Sequence, residues 1–234
     1  MTAKRPKRGV RQARQARAQS TVKAILEAGA RILAEGGWPA FNTNAVAARA
    51  GVSIGSLYEY FENKQALVDA IADGHLAQGE ALLAEGAARL GAITQTAELI
   101  TALVEGAVML HAHGPRLHRA LSSEVPLSSE VRDRAERLRL GLTELVAQWL
   151  TSRVAEPRIA AQLLVDTTDA VVHRWWTEDD GRLVRAERLA DELRLMLELY
   201  LRHRESRSDD RAGRVEQASV RIRRACPVEP SRPA

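Results

Sequence analysis

"GVSIGSLYEYFENKQAL", residues Gly51–Leu67, sets Tyr58, Tyr60 and Phe61 within four consecutive positions. The whole chain holds only three Tyr and two Phe, so their grouping asks what each ring touches. The stretch carries helix punctuation: a glycine turn at Gly51, a start near Ser53, an end around Phe61, and Asn63 placed to cap the next helix. Helical residues advance by about 100° each, which puts Leu57, Phe61 and Tyr58 at roughly 0°, 40° and 100° on one inward face. Gly55, Glu59, Ser56 and Tyr60 follow at roughly 160° to 300° and face outward. Small residues at the leading end of that face let a backbone approach a groove, and the Tyr60 hydroxyl is placed to donate to a phosphate. The plainer alternative is a Tyr60 ring resting on neighbouring surface side chains.

Upstream, Val22, Ile25, Leu26, Gly29, Ile32 and Leu33 recur at helical spacing, and Gly36-Gly37 closes the run. Trp38 and Phe41 lie in a short connection. Thr43 is expected as the N-cap of a short helix with Val46, Ala47 and Ala50 inward, and Gly51 sits just past its end where a positive φ is needed. A longer helix, a short capped helix, a glycine turn and a second short helix match a helix-turn-helix, in which the second short helix enters the DNA major groove. Downstream, helices are expected over 94–112, about 115–122, 128–153 and 157–177, with Asp179-Asp180-Gly181 turning the chain into a last helix through Tyr200. Neither strand alternation nor an internal repeat occurs. The expectation is an all-α chain: a basic disordered arm at 1–19, a three-helix helix-turn-helix domain at 20–66, a larger helical domain at 67–204 and a flexible tail at 205–234.

Composition agrees. Hydrophobic residues make up 45% of the 234, but aromatics only 4%, so the core rests on Leu, Ala and Val, which favours helices. Net charge is +4, unevenly placed: residues 1–20 hold seven Lys or Arg and no acid, residues 201–234 sum to +4, and 21–200 to −7. An acidic body behind a basic arm suits a polyanion met at one end. Cys226 is the single cysteine, which excludes an internal disulfide and a cysteine metal cluster. No apolar run approaches the ~20 residues of a membrane span, and the N-terminus lacks a secretory signal's apolar middle. We therefore expect a cytoplasmic protein. A phosphate-cradling glycine loop, HExxH and a strand framework are missing, which argues against an enzyme and a cofactor. The rival to a DNA reader is a helical scaffold or membrane-surface protein using the basic arm, but past Met1 the stretch 1–19 has only Val10 as apolar anchorage beyond alanines.

The stretch "AILEAGARILAEGGWPAFNTNAVAARAGVSIGSLYEYFENKQALVDAI" resembles the N-terminal domain of the tetracycline-repressor (TetR-like) family. Gly51-Val52-Ser53, Gly55, Leu57-Tyr58, Tyr60-Phe61, Lys64 and Leu67 carry the resemblance, which covers about residues 20–70. It implies a homodimeric transcription regulator, usually a repressor, that reads a palindromic double-stranded operator with paired recognition helices and answers to a small-molecule effector. It also implies that Thr43 binds phosphate and that Asn44 reaches a base or phosphate. Ser53, Ile54, Gly55 and Ser56 then face base edges, while Tyr58, Tyr60 and Lys64 contact phosphates. Glu59 is a departure: it accepts from a cytosine amine or, as we read it, points to solvent.

For the effector, the expected pocket residues are Met109, His111, His113, Trp149, Asp169, His173 and Trp176, polar or polarisable groups on mid-domain helices. His111, His113 and His118 raise a metal site, with 111 and 118 two turns apart on one face; no carboxylate or cysteine stands at a convincing spacing, so no metal is expected. The last two helices offer Ile159, Leu163, Val171, Trp175, Leu189, Leu193, Met196 and Tyr200 for core or dimer packing.

Overall fold

The computed structural model describes residues 8–112, 114–177 and 186–225, with side chains for 13–111, 114–175 and 187–206. Among them every element is helical. Helix α1 spans Arg8–Ala40, α2 Thr43–Ala50, α3 Ile54–Tyr60, α4 Lys64–Leu90, α5 Thr96–Ala112 and α6 Pro115–Arg119. A π-helical turn at Ala120–Glu124 leads to α7 (Ser129–Leu150), α8 (Pro157–Thr177) and α9 (Ala186–Ala225). The expected turn at 179–181 lies outside the described residues.

The termini differ from expectation. Helix α1 begins at Arg8 and α9 runs to Ala225, so 8–19 and 205–225 continue helices where an arm and a tail without structure were expected. Their Ala and Arg content favours helix once a packed helix nucleates it. The break foreseen at Gly36-Gly37 is present: Gly37 takes φ 64° and ψ −167°, and Trp38 and Phe41 stack beyond it with ring centroids 5.6 Å apart.

The cap of α2 is displaced by one residue. Asn42, not Thr43, is the N-cap, its Oδ1 accepting from the Ala45 N–H at 2.9 Å. Asn42 is the better cap because Thr43 is drawn to Tyr58, to which its hydroxyl bonds at 3.1 Å. At the other end Gly51 adopts φ 70° and ψ 30°; its N–H reaches Ala48 O and the Val52 N–H reaches Ala47 O at 3.0 Å, closing a Schellman motif. Asn42→Ala is expected to cost about 1 kcal/mol, read as a lower melting temperature with helix content retained; an unchanged melting temperature would mean that the cap adds nothing to stability.

Two cores form. The first gathers Ile25, Leu33, Phe41, Val46, Leu57, Phe61, Leu67 and Val68 from α1–α4 and their links, and it also takes Ala120 and Leu121 from the π-turn and Val131 from α7. The second joins Ile100 and Val104 of α5, Leu150 of α7, Leu164 of α8 and Leu193, Leu197 and Leu201 of α9. Helix α4 belongs to both halves and is tied to α7 by Arg134, whose guanidinium bonds Asp73 at 2.7 Å and Glu80 at 2.8 Å.

Candidate nucleic-acid interface and effector site

Ser53 caps α3, its hydroxyl accepting from the Ser56 N–H at 3.0 Å and donating to Ser56 Oγ at 2.9 Å. Leu57 (0% exposed) and Phe61 (8%) anchor the helix, as the wheel required. Tyr58 does not join them. It is 49% exposed, with its hydroxyl on Thr43 Oγ1, because α3 meets the body only through Leu57 and the chain turns at Phe61. Ile54, Gly55, Glu59 and Tyr60 are exposed and Ser56 is half-buried, so α3 shows a continuous outer face. Asn44 is exposed on the first turn of α2 and Thr43 is half-buried beside it. The Thr43–Tyr58 bond thus joins the leading turn of α2 to the outer side of α3. Arg49, also on α2, is held by Glu35 at 2.7 Å, which keeps Glu35 below the usual carboxylate range through that hydrogen bond.

Lys64 stands apart from this group. Its Nζ lies 3.5 Å from the centroid of the Trp38 ring and 5.6 Å from that of Phe41, at the first turn of α4. The stacked rings hold the ammonium where the helix dipole favours an anion. The spacing of Trp38 and Lys64 gave no sign of this contact, since the Gly37 bend brings them together.

The effector candidates separate into two places. His111 is fully buried; its Nδ1–H donates to Ala107 O at 2.7 Å, and its Nε2 lies 3.9 Å from Asp169 Oδ1. His173 is near, its ring 5.6 Å from that of His111. His118, on α6, bonds His173 Nδ1 through Nε2 at 3.0 Å and His75 Nε2 through Nδ1 at 2.8 Å. His111 and His118 are therefore on different helices rather than on one face, brought together by the turn at Gly114 (φ 128°) and Pro115, with ring centroids 4.3 Å apart. The carboxylate that sequence spacing did not supply is Asp169, arriving across the fold. His75 was not anticipated; its place on α4, facing the chain's later helices, was the available signal. Burial is the main cause that holds His118 at about 3, with neighbouring imidazoles adding to it, and burial likewise lowers His75 and His111.

Trp149 belongs elsewhere. Its Nε1–H donates to Ile93 O at 3.0 Å, with Arg153 stacked 3.7 Å from its centroid, at the start of α5 and roughly 25 Å along that helix from His111. Met109 is 44% exposed on α5. His113 and the side chain of Trp176 lie outside the described residues. A surface cavity of about 350 Å³ opens between α7 and α8, lined by Glu144, Gln148, Pro157 and Ile159, and holds none of the expected pocket residues.

Comparison with known proteins settles the lineage. The sequence profile for bacterial regulatory proteins of the tetR family matches residues 25–71, and that for the tetracyclin repressor-like C-terminal domain matches residues 96–201. The chain belongs to the tetR family. The fold of this TetR-like regulator is shared with the fatty acid degradation regulator FadR from Bacillus halodurans (21% identity, 76% of this chain and 94% of that one, TM-score 0.60). It is shared also with NalD, the secondary repressor of the MexAB-OprM multidrug efflux pump in Pseudomonas aeruginosa (24%, 78% and 95%, TM-score 0.60). FadR from Bacillus subtilis, solved in complex with stearoyl-CoA, is similar at 20% identity over 75% of this chain and 96% of that one, with a TM-score of 0.58. A search of curated proteins returns no match.

In the TetR-like regulator, α8 and α9 display Ile159 (54% exposed), Leu163 (48%), Leu195 (53%), Met196 (49%) and Leu199 (57%). Leu193, one of the residues expected in core or dimer packing, lies in the core at 4% exposed, because α9 packs one stripe on α5 and α8 and leaves the neighbouring stripe outside. Among the described residues no helix is long and apolar enough to cross a membrane.

Proposed function

We propose that this TetR-like protein acts as a homodimeric repressor, setting the α3 helices of two copies into successive major grooves of a palindromic operator and leaving it when a small ligand binds among α4, α5, α6 and α8. The observation that carries the reading is the outer face of Ile54, Gly55, Ser56, Glu59 and Tyr60, held from behind by Leu57 and Phe61 and flanked by Thr43, Asn44 and Tyr58, with Lys64 held on the Trp38 ring at the first turn of α4. Tyr58 and Tyr60 donate to phosphates, Lys64 contributes charge at the α4 N-terminus, and Ile54 and Ser56 meet base edges. Ser53, whose hydroxyl is engaged as a cap, sets the helix start.

The ligand acts by favouring one tilt of α4, which carries Lys64 at one end and His75 about 16 Å further along. To shift occupancy fully it must discriminate the two tilts by about 5.5 kcal/mol. Genomic footprinting with the purified protein tests the whole reading: it predicts a protected palindrome whose half-site centres are one helical turn apart. Uniform, sequence-independent protection would overturn it.

Removing residues 2–18 deletes seven cationic side chains. For every phosphate that this leaves unneutralised, the slope of log affinity against log salt should become less negative by about 0.9. Anisotropy titrations at several salt concentrations read this directly, and an unchanged slope assigns the arm no role at the DNA backbone.

A further inference from the structure

The chain contains six histidines, and four of them meet at one point from four different helices: His75 (α4), His111 (α5), His118 (α6) and His173 (α8). We propose that His111, His118 and His173 bind one divalent transition-metal ion, with Asp169 as the fourth ligand and His75 supporting His118 from behind.

Geometry comes first. The ligand atoms of the three histidines all lie within 4.8 Å of one another, and His118 Nε2 is 3.0 Å from His173 Nδ1. Four donors at ~2.0–2.1 Å from a tetrahedral ion stand roughly 3.3 Å apart. Ring rotations of about an ångström close the set, within the reach of staggered side chains.

Protonation agrees with it. A backbone carbonyl only accepts, so the His111 Nδ1 bonded to Ala107 O carries the proton and Nε2 carries the lone pair. That Nε2 is buried and has no hydrogen-bond partner among the described residues. Buried polar atoms are rarely left so, and here the atom is aimed at the cluster; an ion supplies what it lacks. The carbonyl behind His111 and the imidazole of His75 behind His118 are the outer hydrogen bonds that orient metal-ligating histidines. Asp169 lies one helical turn before His173, and its side chain is 63% exposed, so it offers negative charge and a path from solvent. Three imidazole nitrogens and one carboxylate suit zinc, cobalt, nickel or copper(II), whereas magnesium and calcium require oxygen donors.

The site reaches the DNA-reading half through two links. His75 shares α4 with Lys64, and the π-turn directly after His118's helix carries Glu124, whose carboxylate accepts from the Trp38 N–H at 3.3 Å. That the ion changes operator affinity rests on the regulator reading above; that the ion binds does not.

The test uses the full chain freed of metal by chelation, without DNA. Calorimetric titration with zinc chloride should show one ion per chain, and cobalt(II) should give the intense visible bands of a four-coordinate site. His111→Ala and His173→Ala should each weaken binding more than about 100-fold, and His75→Ala about 10- to 100-fold. Asp169→Asn changes an exposed side chain and keeps the test decisive should a buried histidine variant not fold; it should weaken zinc and alter the cobalt bands. Absence of saturable binding by the wild type, or one-to-one binding indifferent to His173→Ala and Asp169→Asn, would overturn the assignment and leave a hydrogen-bonded histidine cluster only. Because DNA is absent, failure here leaves the regulator reading standing, and failure of operator binding leaves the metal centre standing.

Discussion

Gly55→Glu is expected to abolish operator binding while the protein keeps its melting temperature. Gly55 is exposed on the leading turn of α3, and a Cβ built there meets only Ser53 Oγ at 3.8 Å, so the fold has room for a side chain. The change sets a carboxylate where the helix must approach a polyanion, and it adds bulk at the point of closest backbone approach. The two penalties together are placed at a hundredfold or more in affinity, about 2.7 kcal/mol at the least. Fluorescence anisotropy with the footprinted operator measures it, and circular dichroism checks the fold. Retained affinity would mean that α3 is not the element inserted into the groove, and the proposed function would fall with it.

The second large effect concerns pairing of two copies. Leu163→Arg combined with Leu199→Arg should convert a dimer into a monomer by light scattering and weaken operator binding by at least two orders of magnitude. The two leucines are 48% and 57% exposed, set among Ile159, Leu195 and Met196 on α8 and α9. Each buried leucine contributes about 1.5–3 kcal/mol to an apolar interface, and an unpaired guanidinium in its place adds a desolvation cost. A lone α3 reads a single half-site, so affinity falls when the partner leaves. Since neither side chain belongs to a core, folding should persist. A wild type that is already monomeric, or a double variant that still dimerises, would place the interface elsewhere.

What could be read from residues alone was local punctuation. Gly51, Ser53, Asn63, Pro115 and Pro157 mark helix ends through φ, capping or a missing N–H, properties of one or two residues that survive any packing. Leu57 and Phe61 followed from periodicity. Tyr58 did not, because a seven-residue helix touching the body through one leucine has a narrow buried face, and a hydroxyl can draw a ring outward toward Thr43. The cap fell on Asn42 because that same Thr43–Tyr58 bond, between residues fifteen apart, competes for the threonine. The histidine cluster was hidden for a related reason. Its members are scattered from 75 to 173, and only the bend at Gly114 and the packing of α4 against later helices make them neighbours. Trp149 fitted the composition of a pocket but lies at the opposite end of α5, a separation that no spacing rule records.

The first core has a consequence for engineering. Since Ala120, Leu121 and Val131 seal the side of the bundle formed by α1 and α4, the part that would grip DNA is not a detachable module. A fragment cut near residue 66 would lose both that seal and the Glu124 carboxylate that receives the Trp38 amide. A chimaera meant to lend this specificity to another sensor must carry the π-turn along, or supply a graft of matching shape.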